Sequence, residues 1–237
     1  MALPDPRADP GQAGPRPTRR PTGLSRNAAR GTLRRVRIAI LDYDAGNQTS
    51  MLRAVEHLGF TAEITADPAV IARADKVIFP GVGAAGSCMA TLAKRGLDTA
   101  LASAVETKRP VLAVCVGMQL LFAFSDEDGG VPCLGLLEGI VERFMPDEPS
   151  IKVPHMGWNT VAHTGDPLFA GIAQDERFYI VHSYYCAPGP DIDVIAVSEH
   201  GGKFCAGVRH GALAALQFHP EKSGPAGLAL IRNFLTA

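Results

Sequence analysis

From residue 36 onward the apolar positions fall into two alternating kinds of run. "VRIAILDYD", starting at Val36, is apolar over the length of a buried strand. "NQTSMLRAVEHLGF" places Met51, Leu52, Val55 and Leu58 at helical spacing, with Asn47 expected as N-cap and Gly59 just past the C-terminus. "TAEIT" predicts a short strand. "DPAVIARAD" predicts a short helix with Asp67 as its cap and Pro68 in its first position. "KVIFPGVGAAG" predicts a strand ending in a glycine loop, and "MATLAKRGLDTALASAVETK" a helix broken near Gly96. "PVLAVCVGMQLLFAF" predicts a strand that runs directly into a helix.

Strands and helices that alternate at this spacing predict a mostly parallel sheet covered on both faces. Ligands of such sheets sit at the carboxyl ends of strands. Gly81–Gly83 and Cys115 both fall at such ends. Beyond residue 130 the texture changes. "GLLEGIVERF", "GWNTVA", "RFYIVHSYYC", "DIDVIAVSEH", "FCAGVRHG" and "ALAALQFHPE" read as strands, and "AGLALIRNFL" as a closing helix. The expectation is one α/β domain over residues 36–237, with antiparallel strands added to the parallel ones.

Composition narrows this picture. The chain has 237 residues, 46% hydrophobic and 20% charged, which is ordinary for a globular protein. No apolar run approaches the length of a membrane span. Residues 1–35 hold eight Arg against Asp5 and Asp9, a net of +6, so a chain total of −1 leaves −7 on the rest. That balance argues against nucleic acid as a partner of the folded body. The first 35 residues also hold six Pro and no apolar periodicity, and are expected to be a disordered extension. A transit segment and a mis-assigned start are alternatives for it. Five cysteines without a CxxC pair fit neither a disulfide framework nor a zinc site, so reduced thiols and a cytoplasmic location are expected. The seven histidines show no metal-binding grouping, and neither a metal nor a cofactor is expected.

The candidate chemistry lies in three segments. In Ala113-Val114-Cys115-Val116-Gly117 a thiol stands where a strand turns into a helix, the geometry of a nucleophile elbow. A helix N-terminus there would favour the thiolate, and the N–H of the next residue would face the reacting centre. A buried structural cysteine is the competing reading. "QFHPEKS" offers a base and its orienter: His219 and Glu221 are two apart, on one side if the backbone is extended, with Pro220 limiting drift between them. A polar surface turn is the alternative. Gly81 and Gly83 let a backbone approach a substrate closely. The loop lacks GxxxxGK[ST], which favours oxyanion donors over a phosphate cradle.

Together "CVGMQLLF", "FPGVGA" and "QFHPEKS" resemble the triad, or class I, glutamine amidotransferases, a family with a flavodoxin-like sheet. The likeness spans residues 36–237, and "PHMGWN" and "YIVHSYY" are similar to the branch that serves as glutaminase of imidazole glycerol phosphate synthase. The resemblance implies that Cys115 attacks the amide of L-glutamine, that His219 carries the proton, and that Glu221 orients His219. It implies backbone oxyanion donors at Val116 and in the Val82 loop, the latter after rearrangement. Gly81, Gly83, Gln119, Glu127, Ser183 and Tyr184 would surround glutamine, with Glu127 on its ammonium or, alternatively, a solvated acid. It further implies that ammonia is channelled to a (β/α)₈ cyclase subunit in a heterodimer. That subunit would make imidazole glycerol phosphate and an aminoimidazole carboxamide ribotide in histidine biosynthesis. Asn47, Met156, Trp158, Tyr179 and Lys222 match positions at the subunit interface; for Trp158 a plain core role is the alternative. A glutaminase serving another synthase and a non-catalytic scaffold are the competing functions. Two residues depart from the family pattern: Ala113 and Asp44 each stand where glycine is usual. A positive φ at Ala113 would cost about 1–2 kcal/mol.

Overall fold

The computed structural model describes residues 36–237, so the extension expected over 1–35 lies outside the described residues. The first half alternates as its pattern requires. Strand β1 (Ile38–Leu41) leads to helix α1 (Gln48–His57), β2 (Ala62–Thr65) to α2 (Pro68–Arg73), and β3 (Lys76–Gly81) to α3 (Ala85–Arg95) and α4 (Leu97–Glu106). Gly96, at φ 67°, makes the expected break between the last two helices. Asp67 caps α2 through its side chain, which accepts from the Ala69 N–H at 2.8 Å. Then come β4 (Val111–Cys115) and the single turn α5 (Val116–Gln119).

The second half is nearly all strand. Two-residue strands β5 (Phe124–Ser125) and β6 (Val131–Pro132) precede β7 (Gly139–Arg143), β8 (His155–His163), β9 (Glu176–His182) and β10 (Tyr184–Pro188). Strands β11 (Asp193–Glu199), β12 (Lys203–His210) and β13 (Leu213–Leu216) follow, and α6 (Gly224–Thr236) closes the chain.

The sheet runs β2-β1-β3-β4-β13-β12-β10-β7-β5-β6, and β11, β8 and β9 branch from β12 as a further antiparallel ribbon. Its first five strands are parallel, in the order of a flavodoxin-like fold. Right-handed crossovers then place helices on both faces. Accordingly α1 packs against α6, and α4 against α2 and α3. Strands β1, β3, β4 and β13 are buried at every position, which is why they read as nearly continuous apolar runs, Lys76 at the start of β3 excepted. No helix among the described residues is long and apolar enough to cross a membrane.

Three local expectations are corrected. The apolar stretch after Cys115 forms one helical turn, because Leu134, Gly135, Leu136 and Leu137 donate backbone N–H groups to the carbonyls of residues 120–122. Those carbonyls would otherwise continue the helix. "RFYIVHSYYC" is two strands broken at Ser183, since β9 pairs with β8 while β10 pairs with β7 and β12. Asn47 occupies the N-cap position at φ 69° but makes no capping bond, its side chain being engaged elsewhere.

Candidate active site

Register brings the chemistry together. Gly81 pairs with Cys115 at the ends of β3 and β4, and Leu216 pairs with Val114. The chain leaving β13 through Gln217 to His219 therefore passes directly beside the cysteine. Cys115 sits at φ 56°, ψ −116°, a strained elbow for a residue with a Cβ. Gly117 makes the elbow feasible: a Cβ there would stand 2.0 Å from the Phe79 carbonyl oxygen. At Gly81 it would stand 2.0 Å from the Tyr43 hydroxyl, which donates to the Pro80 carbonyl at 2.8 Å. Ala113 lies inside β4 with no positive φ and pairs with Phe79 and Ala215, so its methyl replaces glycine without strain.

His219 Nδ1 lies 2.8 Å from Glu221 Oε1, and both side chains are fully buried. The contact is not made by extended backbone: Pro220–Lys222 form a 3-10 turn that folds the carboxylate back under the ring. Asn47 donates its Nδ2 to the same Glu221 oxygen at 2.5 Å, tying the loop after β1 to this pair. Ser223 Oγ donates to the His219 carbonyl at 2.6 Å and accepts from the Tyr179 N–H at 2.9 Å. Burial works to lower the His219 pKa, but the Cys115 thiolate, and after it Glu221, outweigh this and raise it to about 10. Among the described residues His219 Nε2 is buried with no hydrogen-bond partner, the side of the ring left free toward Cys115. A one-turn α5 has little macrodipole to add beside the cysteine.

A cleft of about 250 Å³ opens beside the sulfur, and Val82, Gly83, Cys115, Val116, Gln119, Glu127, Ser183 and Tyr184 all line it. Gly81 lies just behind, as the register partner of Cys115. Gln119 donates to the Tyr184 carbonyl at 2.9 Å and to Gln217 Oε1 at 3.0 Å. Gln217 in turn points its Nε2 at Cys115 Sγ, 3.8 Å away. Glu127 Oε2 accepts from the Ala85 N–H at 2.7 Å at the start of α3, and burial raises its pKa. It is therefore a held acid on the cleft wall and not a freely solvated one. The Val82 N–H points away from the cleft, donating to the Ala45 carbonyl at 2.8 Å.

The residues expected at an interface separate into two sets. Met156 and Trp158 are exposed, 64% and 48%, so Trp158 is no core residue. Trp158 is the cross-strand partner of Tyr179, with ring centroids 6.3 Å apart, and Lys222 is exposed next to Glu221. Asn47 instead points inward, to Glu221. Asp44, at φ 62°, forms an ion pair with Arg95 at 2.5 Å, so its charge is met within this chain. Sequence reading overlooked Gln217, Ser223, His155 and His182. The signal for Gln217 was one polar residue inside "ALAALQF", where the run is otherwise apolar.

A family model described as glutamine amidotransferase class-I matches residues 39–237. "Imidazole glycerol phosphate synthase subunit HisH" of Acinetobacter baylyi is 50% identical over 201 residues, covering 84% of this chain and 97% of that protein. The protein of the same description from Nitratidesulfovibrio vulgaris is 50% identical over 203 residues, covering 83% and 95%. Among solved structures, one described as PurLQS from Thermotoga maritima aligns with TM-score 0.66 at 20% identity, covering 85% of this chain and 98% of that one. A structure described as a glutamine amidotransferase aligns with TM-score 0.65 at 21% identity, covering 84% and 97%. These two likenesses concern the fold alone. The elbow cysteine, the histidine delivered beside it by β13 and the match over 39–237 agree: this chain belongs to the class I glutamine amidotransferases.

Proposed function

We propose that the protein is the glutaminase subunit of an imidazole glycerol phosphate synthase, hydrolysing L-glutamine to L-glutamate and ammonia. The observation that carries the chemistry is the meeting of Cys115 with the His219–Glu221 pair at the ends of β4 and β13. The choice of synthase rests on 50% identity across nearly the full length of proteins so described.

The cysteine sulfur attacks the side-chain amide carbon, and the carbonyl π electrons move to oxygen. His219, which has taken the thiol proton, gives it to the departing nitrogen as the C–N bond breaks. A γ-glutamyl thioester and ammonia result. Water, deprotonated by His219, then adds to the thioester, and the thiolate leaves with glutamate formed. Glu221 and Asn47 hold His219 in register for both transfers. The first oxyanion donor is the Val116 N–H at the start of α5. The second, the Val82 N–H, is engaged with Ala45 and must turn before it can serve. This geometry supports low activity in the isolated chain. The exposed Met156–Trp158 face, beside Tyr179 and Lys222, is the surface offered to a (β/α)₈ cyclase that receives the ammonia. Glu127 holds the glutamine ammonium from the cleft wall.

Glutamine hydrolysis measured with and without the cyclase subunit and its nucleotide ligand tests the reading. The expected result is slow turnover alone and strong stimulation in the complex, abolished by Cys115→Ala. Turnover retained by Cys115→Ala would remove the nucleophile, and full activity of the isolated chain would remove the closed-loop account.

A further inference from the structure

We propose that His155 and His182 form a positioning pair, a one-directional hydrogen-bond chain that fixes the Tyr184 carbonyl and, through it, the polar wall beside Cys115. The proposal rests on the reading of the cleft as the glutamine site.

The two histidines are register partners on β8 and β9, and each is 6% exposed. Their bonds allow only one arrangement of protons. A carbonyl can only accept, so the 2.7 Å contact from His182 Nδ1 to the Tyr184 oxygen puts a proton on that nitrogen. At the far end, the Asn159 amide is fixed by two backbone bonds. Its Oδ1 accepts from the Thr160 N–H at 2.8 Å, and its Nδ2 donates to the Glu199 carbonyl at 2.8 Å. Nδ2 also lies 3.1 Å from His155 Nε2, which must therefore accept. The remaining link, His155 Nδ1 to His182 Nε2 at 3.0 Å, then runs from His155 as donor to His182 as acceptor. Both rings are neutral, each carrying its proton on Nδ1. Burial lowers His155 to about 4 and His182 to about 3, with neighbouring imidazoles adding to the effect. Protonating His182 at Nε2 would set two N–H groups against each other and break the chain.

The chain ends at a site used by the chemistry. The Tyr184 carbonyl takes its second hydrogen bond from Gln119, whose amide also grips Gln217, and Gln217 faces the sulfur. Ser183, between His182 and Tyr184, is where β9 breaks into β10; its carbonyl accepts from the Phe144 N–H at 3.0 Å and Tyr184 pairs with Arg143 on β7, but the Tyr184 carbonyl itself is held by side chains. A fixed donor at His182 adds a side-chain restraint on that carbonyl. Phe144 packs edge-on against His182 at 5.0 Å. The mechanism uses neither imidazole in proton transfer; their role is to act through Tyr184 and Gln119.

Two measurements on the full-length chain test this. Nitrogen-15 NMR of the wild-type protein at neutral pH should show both imidazoles neutral with Nδ1 protonated. An Nε2–H tautomer or an imidazolium at either residue would overturn the proposal, and this readout needs no variant. In the complex with the cyclase subunit, His155→Phe should raise KM for glutamine about tenfold, the size of one lost hydrogen bond, with kcat within about twofold. His155→Asn, whose amide N–H can take the Nδ1 position, should return KM to within about threefold of wild type. An unchanged KM in His155→Phe, or equal KM in both variants, would overturn it. If the wild-type complex shows no Cys115-dependent glutamine hydrolysis, the glutamine-site reading fails instead.

Discussion

The two halves of the sheet do different work. The parallel half has β1, β3, β4 and β13 buried on both faces with β2 at the edge, and the ends of β3 and β4 meet in register at the site. It holds the nucleophile in a strained elbow and the glycine loop beside it, positions that demand a rigid platform. The antiparallel half has one face open. It contributes the far wall of the cleft through Ser183 and Tyr184, and an exposed apolar surface through Met156 and Trp158. Strand β13 is the seam, parallel to β4 and antiparallel to β12, and it delivers His219 to the border. Catalytic geometry is thus anchored on the side whose central strands are buried on both faces. Recognition of substrate and partner falls to the side whose strands have a free face.

The comparison can be broken or sharpened in order of effect. Removing the seam's contribution should cost most: His219→Asn should lower glutamine turnover in the complex by about 10⁴-fold or more, read by steady-state glutamate release. A loss under a hundredfold would place the base elsewhere. Disturbing the platform comes next. Gly117→Ala drives a methyl into the Phe79 carbonyl, where the nearest atom is rigid backbone, and should destabilise the fold by about 3 kcal/mol. Thermal unfolding should show this as a fall of roughly 6–12 °C, and an unchanged midpoint would mean that the elbow is softer than its packing suggests.

On the open half, Trp158→Ala should weaken binding of the cyclase subunit about tenfold or more by calorimetry, with little change in thermal stability because the ring is half exposed. Equal affinity would move the partner surface away from β8. A smaller effect concerns Arg209 on β12, which grips Asp166 with two bonds of 2.5 Å. Burial works to raise the Asp166 pKa, but these bonds and the Leu168 N–H outweigh it and hold it below the ordinary 3.8. A carboxylate lowered in this way adds stability above its unfolded value and loses it as pH falls through the folded one. Arg209→Ala should therefore cost about 1 kcal/mol at pH 7, and the gap from wild type should close below about pH 3.8. A gap independent of pH would assign the loss to packing. Smallest of all, Asp44→Gly removes an exposed ion pair but relieves a positive φ, and should change stability by less than about 0.5 kcal/mol.

The legibility of the chain follows the same division. Cys115, His219, Glu221 and the Gly81–Gly83 loop stood out because each closes a buried apolar run, and a polar or glycine residue is conspicuous there. The helix after Cys115 was read too long because Leu120, Leu121 and Phe122, all fully buried, look alike whether they continue a helix or fill a turn. Their carbonyls are claimed by residues 134–137, and no local pattern announces a partner that far along the chain. Asn47 was legible as a cap by residue type, but its amide is used 174 positions away on Glu221.

By itself the sequence determined the alternation of strands and helices, the parallel core and the three segments that carry the chemistry. These follow from side-chain periodicity and backbone freedom, which act over a few residues. Only the tertiary structure decided how those segments meet. The register that pairs Gly81 with Cys115, the 3-10 turn that folds Glu221 under His219, the inward turn of Asn47 and the histidine pair behind Tyr184 all depend on contacts between distant elements. A hydrogen bond or a van der Waals contact is specified by geometry in space, and geometry at that range is set by the packing of the whole sheet.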